Sequence, residues 1–188
     1  QSMCKPFNYC FALEELGLDE VHKHVGQEPS GRKFNDLTLL LRSSEGFQNN
    51  STNIPFNPMI NAGAIMTSGL INSYETYENR FNFIKNEFAK LIGWTAKGKF
   101  DSKFPRFNKD VAREENFTGF NNMAIGYLLM ATGNLPNKEN KHKKKVNQKH
   151  DNFDFYIEPS VTEALKLYFS ICSLEMTATE VAMAAATL

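Results

Sequence analysis

Apolar side chains recur every three or four residues along much of this chain, a period that suits helices far better than strands. The plainest case is Tyr77, Phe81, Ile84, Phe88 and Leu91, which line one face of a helix that Gly93 ends. Phe7, Cys10, Phe11 and Leu13 give a first helix its apolar face. It starts near Ser2, tolerates Pro6 because first-turn amides have no intrahelical acceptor, and stops at Gly17. A short second helix runs from Asp19 to Val25 and ends at Gly26. After Asn57-Pro58, the small residues Ala62, Gly63, Ala64 and Gly69 let a helix lie close against a neighbour. Another helix runs from about Asn121 to Ala131 and stops at Gly133 and Pro136. Ser160 with Glu163, and Thr177 with Glu180, are capping boxes that start the last two helices. Residues 27–56 read as mostly loop around an apolar patch, Leu37 to Leu41, and residues 94–110 read as surface loop. No strand-turn-strand pattern stands out.

The 188 residues are 41% apolar and 22% charged, the usage of an ordinary globular chain and not of a disordered, collagen-like or membrane-bundle sequence. Lys+Arg and Asp+Glu both number 21, so the whole chain has no electrostatic pull toward nucleic acid or anionic lipid, and neither is expected as a partner. No apolar run approaches the roughly 18 residues of a spanning helix. Cys4, Cys10 and Cys172 fit reduced thiols better than a disulfide framework. The one charge run is Lys138, Lys141, Lys143, Lys144, Lys145 and Lys149, which lacks stacking aromatics until Phe153. It reads as a solvated, mobile insertion between helices and not as a phosphate-binding patch. The chain opens Gln1-Ser2 and closes inside Ala182-Met183-Ala184-Ala185-Ala186-Thr187-Leu188 with no helix stop, so it is expected to be a piece of a longer protein.

The chemistry-bearing motif is Ser2-Met3-Cys4-Lys5, an S-x-x-K element. On a helix, positions i and i+3 share a face. An amine held there can take the hydroxyl proton when desolvation or nearby positive charge lowers its pKa. The helix N-terminus adds partial positive charge where an alkoxide and then an oxyanion develop. The motif alone is weak, and Ser30-Gly31-Arg32-Lys33 matches it in a Pro-Gly loop. Taken alone, Ser2 reads as an N-cap with an exposed Lys5, Asn61 and Asn122 as helix caps, Glu115 as a solvated acid, and Tyr168 as a core ring.

The surroundings change that reading. Ser2-Met3-Cys4-Lys5-Pro6, Val21-His22 through Gly26, Glu28-Pro29-Ser30-Gly31 with Phe34-Asn35, Asn57-Pro58-Met59-Ile60-Asn61-Ala62-Gly63-Ala64-Ile65, Ala124-Ile125-Gly126-Tyr127, and Tyr168-Phe169 with Cys172-Ser173 stand in order along nearly the whole chain. Together they resemble the serine-dependent glutaminases, above all the animal kidney and liver type. The resemblance implies an α+β serine β-lactamase-like fold. Residues 1–188 would be part of its catalytic domain and mostly its helical portion, with the sheet-forming segments before and after outside the sequence and 137–158 a Lys-rich inserted loop. It implies hydrolysis of the side-chain amide of L-glutamine to L-glutamate and ammonia, with no metal or organic cofactor. Carried over by position, Ser2 would be the nucleophile and Lys5 its general base. Asn61, Glu115, Asn122 and Tyr168 would line the substrate site beside Ser2. Glu114 is adjacent to Glu115, and the spacing to Asn122 favours Glu115. The resemblance further implies a homo-oligomer, a tetramer in the animal enzymes, in mitochondria if the protein is animal and in the cytoplasm otherwise. Catalysis would need segments outside these residues.

Two departures stand against the family pattern. The connections Asn35 to Phe56 and Pro136 to Pro159 are longer than usual, which bears on effector response and assembly more than on chemistry. Two other classes compete. A β-lactam-binding acyl-serine enzyme would want a Y-x-N element and a later K-T-G. Tyr77-Glu78-Asn79 matches the first but sits on the apolar-striped helix, and no K-[ST]-G occurs. The other is a helical fragment or pseudoenzyme acting as an interaction module.

Overall fold

A computed structural model describes residues 1–42, 52–93, 104–133, 135 and 159–188. In chain order they form α1 (Cys4–Leu16), α2 (Leu18–His24), β1 (Leu40–Arg42), β2 (Thr52–Ile54), α3 (Asn61–Leu70) and α4 (Tyr77–Leu91). There follow β3 (Arg106–Phe107), α5 (Lys109–Thr118), α6 (Phe120–Ala131), α7 (Pro159–Cys172), β4 (Leu174–Glu175) and α8 (Ala178–Thr187). The architecture is mostly helical, as the periodicity predicts.

The run of small residues packs as expected. Every residue of α3 is buried, and α1, α6 and α7 pack around it. The approach is closest at Gly63, where an added Cβ would stand 1.9 Å from Asn57 O. Asn57 is itself tied down: its Oδ1 accepts from Met59 N at 3.0 Å and Ile60 N at 3.3 Å, and its Nδ2 donates to Glu28 O at 2.9 Å. At the other end of α3, the buried Arg80 guanidinium donates to Ser68 O, Gly69 O and Ile71 O at 2.7, 2.9 and 2.8 Å. One side chain thus satisfies carbonyls that the helix end leaves without partners.

The α4 stripe supplies the second wall of the core. Phe81, Ile84 and Phe88 are buried, and the Phe88 ring lies 5.1 Å from Phe7 and 5.3 Å from Phe11 of α1. Such ring pairs each add about 0.5–1.5 kcal/mol beyond the area they bury. The Thr177–Glu180 capping box is formed on both sides, with Glu180 N donating to Thr177 Oγ1 and Thr177 N to Glu180 Oε2.

Four expectations need correction. The first helix starts at Cys4, leaving Ser2 in the turn before it. α7 begins at Pro159, one residue ahead of the expected Ser160 cap; proline's fixed φ suits a first helical position. The stretch 27–56 contains an antiparallel pair, Leu40 opposite Ile54 and Leu41 opposite Asn53, whose three-residue strands are too short to show a period. Residues 104–110 are not a surface loop: Phe104 is buried, β3 pairs with β4, and α5 begins there. α5 escapes sequence reading because Val111, Ala112 and Phe117 are its only apolar residues, too few to set a period, and none of its residues is buried. Asn108 starts it instead, accepting from Asp110 N and Val111 N at 3.1 Å each. The Lys-rich stretch within 137–158 lies outside the described residues, as do residues 94–103.

Candidate active site

The first turn of α1 faces the N-terminus of α3, and this meeting decides how Lys5 reads. Lys5 is 3% exposed, so it is not a solvated surface lysine. Its Nζ donates to Asn61 Oδ1 at 2.7 Å, and Asn61 Nδ2 donates to Asn122 Oδ1 at 2.8 Å. Three of the residues picked from sequence therefore form one hydrogen-bonded line running from α1 through α3 to α6. Asn61 and Asn122 are helix-start residues, but their side chains bond to each other and not to their own helix ends. The backbone holds the line in place: Asn61 N donates to Phe34 O at 2.8 Å. The Phe34 ring lies 5.6 Å from Lys5 Nζ, giving the amine an aromatic neighbour.

Burial pushes the Lys5 ammonium below its ordinary pKa, and the nearby Cys172 and Cys4 thiols oppose this in part. A lysine made easier to deprotonate is what general-base chemistry requires. Ser2 sits in the preceding turn, where its carbonyl accepts from Lys5 N at 3.3 Å. Its side chain is exposed, and among the described residues the Lys5 amine bonds to Asn61 and not to Ser2 Oγ. The second motif match is of another kind: Ser30 is half-buried and its Oγ bonds to the backbone of Arg32 at 3.3 Å.

The two remaining predicted residues close the same region. Glu115, half-buried on α5, accepts a hydrogen bond from Gln1 Nε2, while Glu114 is exposed. Tyr168 on α7 is buried, and its hydroxyl is raised above its usual pKa by burial first, then by the charges of Cys172, Cys4 and Glu115 around it. Sequence reasoning did not give Cys4 or Cys172 a place in this region. Yet their sulfurs lie 3.7 Å apart and act on the pKa of both Lys5 and Tyr168. A separation of 168 residues hides such a contact from any local signal.

A model of the family described as Glutaminase matches residues 1–188, the full chain. The chain belongs to the glutaminase family. It is 35% identical to the mitochondrial liver-isoform glutaminase of Rattus norvegicus over 188 residues, all of this chain and 25% of that protein. It is also 35% identical to glutaminase 1 of Bradyrhizobium diazoefficiens, of which it covers 24%. It thus spans about a quarter of the length of these curated relatives. Among solved structures, a Bacillus glutaminase superposes with a TM-score of 0.70 at 27% identity, covering 98% of this chain and 49% of that one. A second is described as the covalent complex of the Bacillus subtilis glutaminase with 5-oxo-L-norleucine, formed by reaction with 6-diazo-5-oxo-L-norleucine. It superposes with a TM-score of 0.62 at 25% identity over 96% of this chain and 43% of that one. The chain thus shares the β-lactamase-like glutaminase fold over almost all its length.

A cleft of about 200 Å³ is lined by Cys4, Met3, Phe7, Leu174 and Met176 among others, and not by Lys5, Asn61 or Tyr168. Among the described residues, no three His, Cys, Asp or Glu side chains gather as a metal site requires, and no helix is long and apolar enough to cross a membrane.

Proposed function

We propose that the whole protein hydrolyses the side-chain amide of L-glutamine to L-glutamate and ammonia through an acyl-enzyme on Ser2. The observation that carries this reading is the buried Lys5 amine, 3% exposed and held 2.7 Å from Asn61 Oδ1. Neutral Lys5 takes the Ser2 proton as Oγ attacks the amide carbon, and the resulting ammonium gives that proton to the departing ammonia. Lys5 then deprotonates a water that attacks the ester, and glutamate leaves as Ser2 is reprotonated. Glu115 pairs the substrate α-ammonium, and Asn61, Asn122 and Tyr168 hold the head group. The covalent adduct described for the Bacillus subtilis relative supports a nucleophilic route, since 5-oxo-L-norleucine is a glutamine-shaped amino acid. Mitochondrial location fits the rat liver relative, and a homo-oligomer belongs to the same reading.

The test is ammonia release from glutamine by the full-length protein. Ser2→Ala and Lys5→Ala should each abolish it while the thermal transition stays cooperative. Near-normal turnover by Ser2→Ala would transfer the nucleophile role to another residue, Ser30 first.

A further inference from the structure

Cys4 opens α1 and Cys172 closes α7, and their Sγ atoms stand 3.7 Å apart. Both thiols are free and buried, 8% and 6% exposed. A disulfide needs an S–S distance of about 2.05 Å, so the remaining gap is under about 2 Å. Cys4 also lines the 200 Å³ cleft, which gives a reactant the size of hydrogen peroxide a way in. Next along the chain from Cys4 is Lys5, and the Tyr168 hydroxyl faces Cys172.

We propose that Cys4 and Cys172 are a peroxide-oxidisable dithiol, and that their disulfide switches the active site off. The effect on activity rests on the glutaminase reading above; the disulfide itself does not. Cys4, by its hydrogen bond, and then the Tyr168 hydroxyl draw the Cys172 thiol below its usual pKa against its burial, while that same bond and burial raise Cys4. Cys4, which lines the cleft, meets the peroxide first, and Cys172 is the resolving sulfur. The Cys4 sulfur attacks one peroxide oxygen, the O–O bond breaks, and hydroxide leaves and takes up the Cys4 proton as water. The sulfenic acid on Cys4 is then attacked by the Cys172 sulfur. The S–S bond forms, the S–O bond breaks, and the hydroxyl departs with the Cys172 proton as a second water. Two thiols and one peroxide give one disulfide and two waters, with peroxide the electron acceptor. Drawing the sulfurs together pulls the first turn of α1 toward the end of α7. That moves Lys5, adjacent to Cys4, relative to Asn61, and removes the thiol that faces Tyr168.

The experiment exposes the full-length protein to graded hydrogen peroxide, alkylates free thiols and maps peptides by mass, with ammonia release measured on the same samples. A Cys4–Cys172 cross-linked peptide should appear as activity falls at least tenfold, and dithiothreitol should reverse both. Cys4→Ala, or Cys4→Ser if the first folds poorly, should start with near-parental activity and keep it through the same treatment. Separate alkylation of Cys4 and Cys172 after peroxide would overturn the dithiol. A cross-link without loss of activity, or equal loss in the Cys4 variants, would overturn the switch. If untreated protein released no ammonia, the functional reading would fail while the peptide map still judged the dithiol.

Discussion

Replacing Asn61 with Asp tests whether Lys5 acts as a base, because the two side chains have the same shape and differ in charge. In the structure, Asn61 Oδ1 stands 2.7 Å from Lys5 Nζ, so the substitution puts a carboxylate in direct contact with the amine. An opposite charge that close moves a pKa by about 1–3 units, here upward. Below the pKa, each unit cuts the neutral amine fraction tenfold. kcat/KM on the ascending side of the pH profile should therefore fall about 10–1000-fold, or about 1.4–4 kcal/mol, and the limb should move to higher pH by the same number of units. Parental protein should show this limb below the ordinary lysine pKa of about 10.4, because burial lowers the Lys5 pKa. The bond from Asn61 Nδ2 to Asn122 Oδ1 survives in mirrored form if the Asn122 amide turns over and donates instead. The assay is ammonia release at subsaturating glutamine across about pH 6–10, where lysine titration is in view. A loss that is the same at every pH, with the limb unmoved, would show that Asn61 only binds substrate and would refute the argument for Lys5.

Other expectations follow from single contacts. Gly63→Ala places a Cβ 1.9 Å from Asn57 O, so it should lower stability by at least the roughly 1–3 kcal/mol of ordinary overpacking, read from urea denaturation. Glu115→Gln removes the charge assigned to the substrate ammonium and should reduce kcat/KM by two or more orders of magnitude, on the order of 3 kcal/mol; if Glu114→Gln did so instead, the register would be off by one. Lys5 also links stability to pH. The unfolded chain binds this proton more tightly than the folded one, so the contribution rises with pH between the lowered folded value and about 10.4, and Lys5→Met should flatten that slope in denaturation at a series of pH values.

What could be read from sequence was what repeats locally. The α4 stripe, the Thr177–Glu180 box and the small-residue face of α3 each lie within a few turns of chain, and the structure forms all three. α5 could not be read that way, although it carries Glu115. It buries no residue and is held by the Asn108 cap and by packing on α7. The β3–β4 pair joins two-residue strands some 67 positions apart, a contact without a local period. The site shows the same division. Spacing put Ser2 and Lys5 on one turn, but only the resemblance tied Lys5 to Asn61, 56 residues away, and Asn61 to Asn122. The Cys4–Cys172 contact had neither a motif nor a period to reveal it.

If Ser2 is a nucleophile primed by Lys5, the full-length protein should carry the reagent on that residue after it meets 6-diazo-5-oxo-L-norleucine, read from the mass of the Ser2-containing peptide. The expected result is a 5-oxo-norleucyl adduct on Ser2 that is absent in Lys5→Ala. An adduct on Ser30, or one on Ser2 formed equally fast without Lys5, would contradict it.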